Sequence, residues 1–197
     1  MLKPNQLPLF PLPLVLFPDG ELKLRIFERR YLDMVRDCAR TSLPFGVLCV
    51  SARKGHETTL CTTGTQAHIV DFYTMDDGLL GITCRGGERF HVRQAHARDS
   101  GLLIGDVEVL GAGALVELAP EHAGLRHLLK TLCENLGGVH ANPDKMRWDD
   151  SDWIANRLAE FFPLELEERQ WLLEQPDASL KLKQLLEWLP RFKANED

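Results

Sequence analysis

Apolar and polar positions alternate along the first half of the chain and recur every three to four residues along the second. Within residues 7–31, the most apolar segment, the stretch 7–18 carries Pro8, Pro11, Pro13 and Pro18. Proline fixes φ and lacks an N–H, so no helix runs through this stretch. Each residue before a proline is pushed to extended geometry. An extended apolar segment short of donors belongs at a sheet edge or across a barrel mouth. Pro18-Asp19-Gly20-Glu21 predicts a type II or related turn, with Gly20 at the position that needs φ > 0. Residues 21–26 then alternate, with Leu22, Leu24 and Ile26 inward, the period-2 signal of a half-buried strand.

Residues 27–40 predict a helix whose buried stripe is Tyr31, Met34, Val35 and Cys38, at i, i+3, i+4 and i+7. Leu43-Pro44 stops it. Residues 45–51 are almost continuously apolar, the pattern of a strand buried on both faces. A polar turn at residues 53–57 precedes a short strand at 60–62 and an alternating one at 65–75, with a bulge near Asp71. Asp76-Asp77-Gly78 is a hairpin signal. Residues 79–85 form the return strand, Gly86-Gly87 a further turn, and residues 88–94 and 102–110 the last strands. Six or seven short strands with one early helix predict a small barrel or a strongly curved sheet.

The period changes near residues 115–120. Pro120 suits the first position of a helix. Leu125, Leu128, Leu129, Leu132 and Leu136 make a helical stripe that Gly137-Gly138 ends. A polar loop covers 139–150. Ser151 is the expected N-cap of a helix over 152–161 with Ile154, Leu158 and Phe161 buried. Another helix spans 165–175, with Glu165, Glu167 and Glu168 at its positive end. Asp177 caps the last, 178–189, and Pro190 ends it. These short helices predict a small bundle. The expected division is 1–116 for the strand-rich part and 117–197 for the helices.

Charge and composition narrow the function classes. The 197 residues are 44% hydrophobic, enough for a core, and carry a net charge of −6. Residues 1–118 hold 13 Lys and Arg against 14 Asp and Glu; residues 119–197 hold 10 against 15. No basic excess marks a nucleic-acid face, so the balance argues against that partner. The five cysteines show no C-x-x-C spacing, which disfavours a zinc site or a disulfide framework and suits reduced thiols in the cytoplasm. Prolines interrupt the N-terminal apolar run, so no signal peptide is expected there. No run of about 18 apolar residues suggests a membrane span.

Motifs for chemistry are weak. Gly111-Ala112-Gly113 is half of a dinucleotide fingerprint without the following capped helix, and it reads as a connecting turn. His91, His96, Asp99 and Ser100 lack a nucleophile elbow. His56, Cys61 and Cys84 lack a fourth metal ligand. No catalytic residue, metal or cofactor is expected. Glu28, Arg29, Arg30 and Tyr31 stand where strand turns into helix. They read as an ion pair with a packed Tyr, or as the lip of a peptide groove, where Tyr and Arg are favoured. Trp153, Trp171 and Trp188 fit a core. Trp148, in a polar loop, is the remaining candidate binding residue.

The order of these motifs resembles a known family. Leu7-Pro8-Leu9-Phe10-Pro11 through Phe17-Pro18, then Leu24-Arg25-Ile26-Phe27-Glu28 and Arg30-Tyr31, resemble the opening of the Lon protease N-terminal (substrate-binding) domain. Phe45-Gly46-Val47, Gly64-Thr65, Gly86-Gly87-Glu88-Arg89-Phe90 and the helical tail continue the resemblance in register. Arg29 departs from it, standing where family members often have proline. The resemblance implies an α+β fold, a PUA-like β pseudo-barrel followed by a small C-terminal helical bundle. It also implies a non-catalytic module that recognises exposed or unfolded polypeptide or a partner protein. No Gly-x-x-x-x-Gly-Lys-[Ser/Thr] loop is present, so the expectation is a stand-alone recognition domain without ATPase or protease activity. RNA binding, as in other PUA-like proteins, is the alternative, which the acidic balance disfavours.

Overall fold

The proline-bearing stretch becomes a strand with partners on both sides. The computed structural model describes residues 3, 5–51, 59–111, 115–136 and 146–193, and the chain forms two compact units, Met1–Ala112 and Gly113–Asp197. Among the described residues, the first unit holds β1 (Gln6–Leu12), β2 (Glu21–Ile26), α1 (Arg29–Thr41), β3 (Phe45–Ser51), β4 (Thr59–Thr74), β5 (Leu80–Ala97) and β6 (Leu103–Val109). The strand order is β2-β5-β4-β3-β1-β6, and β5 also pairs with β6. Thus β1, β3, β4, β5 and β6 close into a ring, while β2 lies outside it along the first half of β5.

A sheet-edge position for the first strand is therefore corrected. Residues 9–12 run parallel to 46–49, and residues 6–9 run antiparallel to 103–106. The prolines survive because of where each ladder stops. Val107 N–H donates to Asn5 O at 2.8 Å. In the alternation that follows, Pro8↔Ile104 is a non-hydrogen-bonded pair and needs no donor. Pro11 lies past the end of the β6 ladder at Leu9↔Leu103.

Two glycine signals also need correction. Gly20 N–H donates to Phe17 O at 3.0 Å, so the turn is Phe17-Pro18-Asp19-Gly20, one residue earlier than expected. Its left-handed residue is Asp19, at φ 62°, and not Gly20. Pro18 takes the second position, whose φ it matches, and a short Asx side chain tolerates the third. Gly86-Gly87 is not a turn, because β5 runs through it unbroken. Between Thr65↔Arg89 and Ala67↔Gly86, β4 advances two residues and β5 three, so the glycines mark a bulge that bends a continuous strand. Residues 60–62 and 65–75 likewise merge into the single strand β4, which shifts register between Ile69 and Asp71, as the pattern near Asp71 suggested.

Both faces of β1 and β3 are buried. Tyr31, Met34, Val35 and Cys38 of α1 are the buried helix positions, as the spacing predicts. They pack with Phe10, Leu24, Ile26, Phe45, Val47 and Ile82. Leu7, Leu9, Leu48, Phe90, Val92 and Val107 form a second cluster. Successive residues Leu9 and Phe10 thus serve different clusters, which is why β1 and β3 read as continuous apolar runs. Burial raises the Cys38 thiol to about 11, aided by Asp37, and the Cys84 thiol to about 12, aided by Cys38. Both stay protonated near neutral pH, which suits packing and not metal ligation. None of the cysteines forms a disulfide among the described residues.

In the second unit, a 3₁₀ turn at Pro120–His122 leads into α2 (Ala123–Leu136), followed by α3 (Ser151–Phe161), α4 (Leu166–Glu174) and α5 (Ala178–Lys193). The turn at 53–57, residues 112–113, the Gly137-Gly138 stop and most of the 139–150 loop lie outside the described residues. The cap of α3 is Asp150, not Ser151. Its Oδ1 accepts from the N–H groups of Asp152 and Trp153 at 3.0 and 3.2 Å, while Ser151 Oγ donates to Glu117 O. The buried surface of α3 is wider than a stripe. Trp153 through Ala159 are all buried, because α2, α4 and α5 pack around this helix. Phe162, rather than Phe161, fills the buried place at its end. Pro190 does not end α5, since it removes only one hydrogen bond near the C-terminus. Arg191, paired with Glu168 at 2.9 Å, and Phe192, 5.1 Å from Phe162, fasten the last turn.

A buried lysine ties two of these helices. Lys181 is fully buried, and its Nζ donates to Asp152 Oδ1 at 2.6 Å and Asn156 Oδ1 at 3.1 Å. Removing one partner of such a pair strands the other charge. Asp152→Ala is therefore expected to cost about 2–3 kcal/mol, less than a fully enclosed pair because the Asp152 carboxylate reaches solvent. The double variant Asp152→Ala/Lys181→Met should recover part of that loss in urea denaturation.

Candidate functional site

The site forms where β2 hands over to α1. Glu28 is the N-cap residue of that helix, with extended backbone at φ −74° and ψ 134°, and its side chain makes no capping bond. Its carboxylate instead meets Arg30 Nη2 at 2.7 Å. Arg30 Nη1 donates to Gly101 O at 3.1 Å in the turn between β5 and β6, while its buried Nε has no hydrogen-bond partner among the described residues. The same guanidinium lies 4.6 Å from the centroid of the Tyr31 ring, which stacks on Phe10 at 3.9 Å and 21°. Cation–π attraction and aromatic stacking hold this corner in one geometry. Burial raises the Tyr31 pKa, with Arg30 acting in the opposite direction.

A groove of about 370 Å³ runs beside that corner. Its floor and walls are Phe10, Pro11 and Leu12 of β1, Leu24, Arg25 and Ile26 of β2, and Leu103 of β6. Phe27, Glu28, Arg30 and Tyr31 complete the lip. Phe27 is 63% exposed, unusual for a large apolar side chain.

The structure brings together three of the residues singled out from sequence, Glu28, Arg30 and Tyr31. Arg29 is not among the lining residues; it points along the exposed helix surface and pairs with Asp33 at 3.2 Å. Trp148 belongs to the second unit. It is half-buried, 5.5 Å from Trp153 in an edge-on contact, with Lys130 Nζ 5.2 Å from its ring. Of the other tryptophans, Trp153 is core, whereas exposed Trp171 and half-buried Trp188 form an edge-to-face pair outside the buried core, which corrects the core assignment of those two. Phe27 was missed from sequence, although it breaks the alternation by placing an apolar residue directly after inward Ile26. Leu12 and Leu103 carried no such signal, because only the closed ring brings them beside β2.

Other suggested chemistry does not assemble. No group of three or more His, Cys, Asp or Glu side chains could hold a metal among the described residues, and His56 lies outside them. Ser100 Oγ accepts from Leu102 N–H at 3.4 Å and closes a turn. No described helix is long and apolar enough to cross a membrane.

Comparison with known proteins places this geometry. The model of a family described as the ATP-dependent protease La (LON) substrate-binding domain matches residues 6–191. Lon protease 2 of Myxococcus xanthus is 26% identical over 198 residues, covering 95% of this chain and 24% of that protein. Lon protease of Anaeromyxobacter dehalogenans is 25% identical over 199 residues, covering 95% and 23%. The chain therefore spans about a quarter of the length of these relatives. The crystal structure of a Lon N-terminal domain protein from Xanthomonas campestris superposes with a TM-score of 0.78 at 39% identity, covering 93% of this chain and 98% of that one. The N-terminal domain of a Mycobacterium avium complex Lon protease gives 0.64 at 16% identity, over 98% and 100%, a likeness of fold alone. The strand ring followed by helices is the fold that the opening motif implied. With the family model matched across nearly the whole chain, this protein belongs to the ATP-dependent protease La (LON) substrate-binding domain family.

Proposed function

We propose that this chain is a recognition module for polypeptide, acting in the cytoplasm without chemistry of its own, and that the groove beside Tyr31 holds exposed apolar segments. The observation that carries this reading is the groove itself. It is apolar along its floor, rimmed by Arg and Tyr, and open at Phe27. Aromatic and arginine side chains around a concave apolar surface are the usual anchors of polypeptide contacts. The family's description as a substrate-binding domain points the same way.

Fluorescence anisotropy with reduced, carboxymethylated α-lactalbumin, an unfolded chain, tests the reading against the native protein as control. The unfolded form should bind and the native form should not. Phe27→Ser should weaken binding about fivefold or more, as truncating an interface anchor does. Its melting temperature should stay close to that of the unsubstituted protein, since the side chain is largely exposed. Binding of single-stranded RNA with no affinity for the unfolded polypeptide would overturn the proposal.

A further inference from the structure

We infer that the outer edge of β2 accepts an added strand from the bound polypeptide, an extended segment with apolar residues on one face and acidic residues on the other. This rests on the polypeptide-recognition reading and specifies how the segment is held.

Five strands of the first unit close into a ring, and β5 is the only strand paired with β2 among the described residues. The ladder shows which backbone groups β2 leaves outward. Gly86 N–H donates to Gly20 O at 2.8 Å, which sets the phase of the β2–β5 pairing. Counting along the register, Leu22↔Cys84, Leu24↔Ile82 and Ile26↔Leu80 are the hydrogen-bonded pairs. Lys23↔Thr83 and Arg25↔Gly81 are the intervening pairs, so Lys23 and Arg25 turn their N–H and C=O groups away from β5. Arg25 also lines the groove. A strand laid there would gain main-chain bonds from β2 and side-chain contact with the groove, the two components of β-augmentation.

The side chains specify the occupant. Leu24 and Ile26 are buried inward, beside Phe10 and Tyr31, and ask for apolar residues on the inner face of the added strand. Lys23 and Arg25 stand on the outer face with 67% and 53% of their side chains exposed, against the single acid Glu21. Their present partners, Glu21 and Asp77, are exposed ion pairs that contribute little and are readily exchanged. Opposite charges facing each other across strands are favoured, so the outward residues of the occupant are acidic. Lysine on a short edge strand also discourages indiscriminate pairing.

The probe is a capped, fluorescein-labelled heptapeptide, Glu-Val-Glu-Leu-Glu-Phe-Glu, with two N-methylated forms, one methylated at the apolar residues and one at the acidic residues. Wild-type protein should bind the parent. One N-methylated frame should bind about tenfold more weakly and the other about as well, because only alternate N–H groups of a strand face its neighbour. Arg25→Pro removes one outward N–H and leaves the β5 ladder intact, and should weaken the parent peptide about tenfold. Arg25→Ala keeps that N–H and loses one exposed charge, so about threefold is expected. Equal binding of all three peptides overturns strand addition, whatever the folding of the variants. Binding of unfolded α-lactalbumin without binding of the heptapeptide also overturns it and leaves the groove reading standing; loss of both removes both. A dimer in sedimentation that Arg25→Pro dissolves would assign the edge to a second copy and overturn the inference.

Discussion

Gly86→Ala is expected to destabilise the first unit by about 3 kcal/mol or more, the scale of overpacking against atoms that cannot yield. A Cβ on Gly86 would run into the carbonyl oxygen and carbon of Phe17. That segment has little freedom to retreat. Asp19 N–H donates to Gly86 O, and Gly86 N–H donates to Gly20 O, both at 2.8 Å. Thr65 Oγ1 donates to Leu16 O at 2.6 Å from a fully buried position. Relief therefore requires breaking either the turn or the start of the β2–β5 ladder. Urea denaturation followed by circular dichroism measures the loss. A useful comparison is Gly78→Ala at the tip of the β4–β5 hairpin. There φ is +80° and an added Cβ would meet no atom within 4 Å beyond its chain neighbours, so only the left-handed backbone is penalised, by about 1–2 kcal/mol. If Gly86→Ala proves no worse than Gly78→Ala, the close approach of the two backbones is not real.

Phe17→Ala should cost about 3–5 kcal/mol, a large share of a domain's usual margin. The ring has no exposed surface, so truncation leaves an enclosed cavity. Phe10→Ala should cost less, about 2–3 kcal/mol, although the same atoms are removed. Phe10 is 8% exposed and lines the groove, so the vacated space opens onto that groove and can fill with water. The same variant unstacks Tyr31 and should weaken binding of unfolded polypeptide, which Phe17→Ala at a temperature where it remains folded should not. Chemical denaturation with equal m-values, paired with anisotropy, separates the two residues. Equal stability losses for Phe10→Ala and Phe17→Ala would mean that the groove does not reach Phe10.

Local signals held where a local cause was sufficient. The stripe Tyr31, Met34, Val35 and Cys38 of α1 was legible because one helix face packs on one sheet face. The span of β3 was legible from its unbroken apolar run, since both of its faces are buried. Asp177 was legible as a cap, and its Oδ1 accepts from Ser179 N–H at 2.8 Å. Glu168 at the start of α4 accepts from Glu165 N–H at 3.0 Å, as carboxylates at a helix N-terminus should.

Misreadings arose where a local signal serves a distant partner. Gly86-Gly87 has the composition of a turn, yet β5 continues through it as a bulge, where Phe17 of the neighbouring segment presses against Gly86. Pro18-Asp19-Gly20 announces a turn, but Gly20 O is bonded to Gly86 N–H, which moves the left-handed residue to Asp19.

The candidate site divides along the same line. Glu28, Arg30 and Tyr31 were visible from sequence because strand, cap and helix follow one another directly along the chain. The groove beside them was not visible, since it needs Leu12 and Leu103 from strands far apart in sequence and the ring closure that sets them beside β2. Sequence alone determined the spans of β2 and β3, the buried face of the first helix and the family. Tertiary structure alone decided which strand keeps an edge unpaired among the described residues, because an edge is a property of how strands pair and not of any strand's own residues.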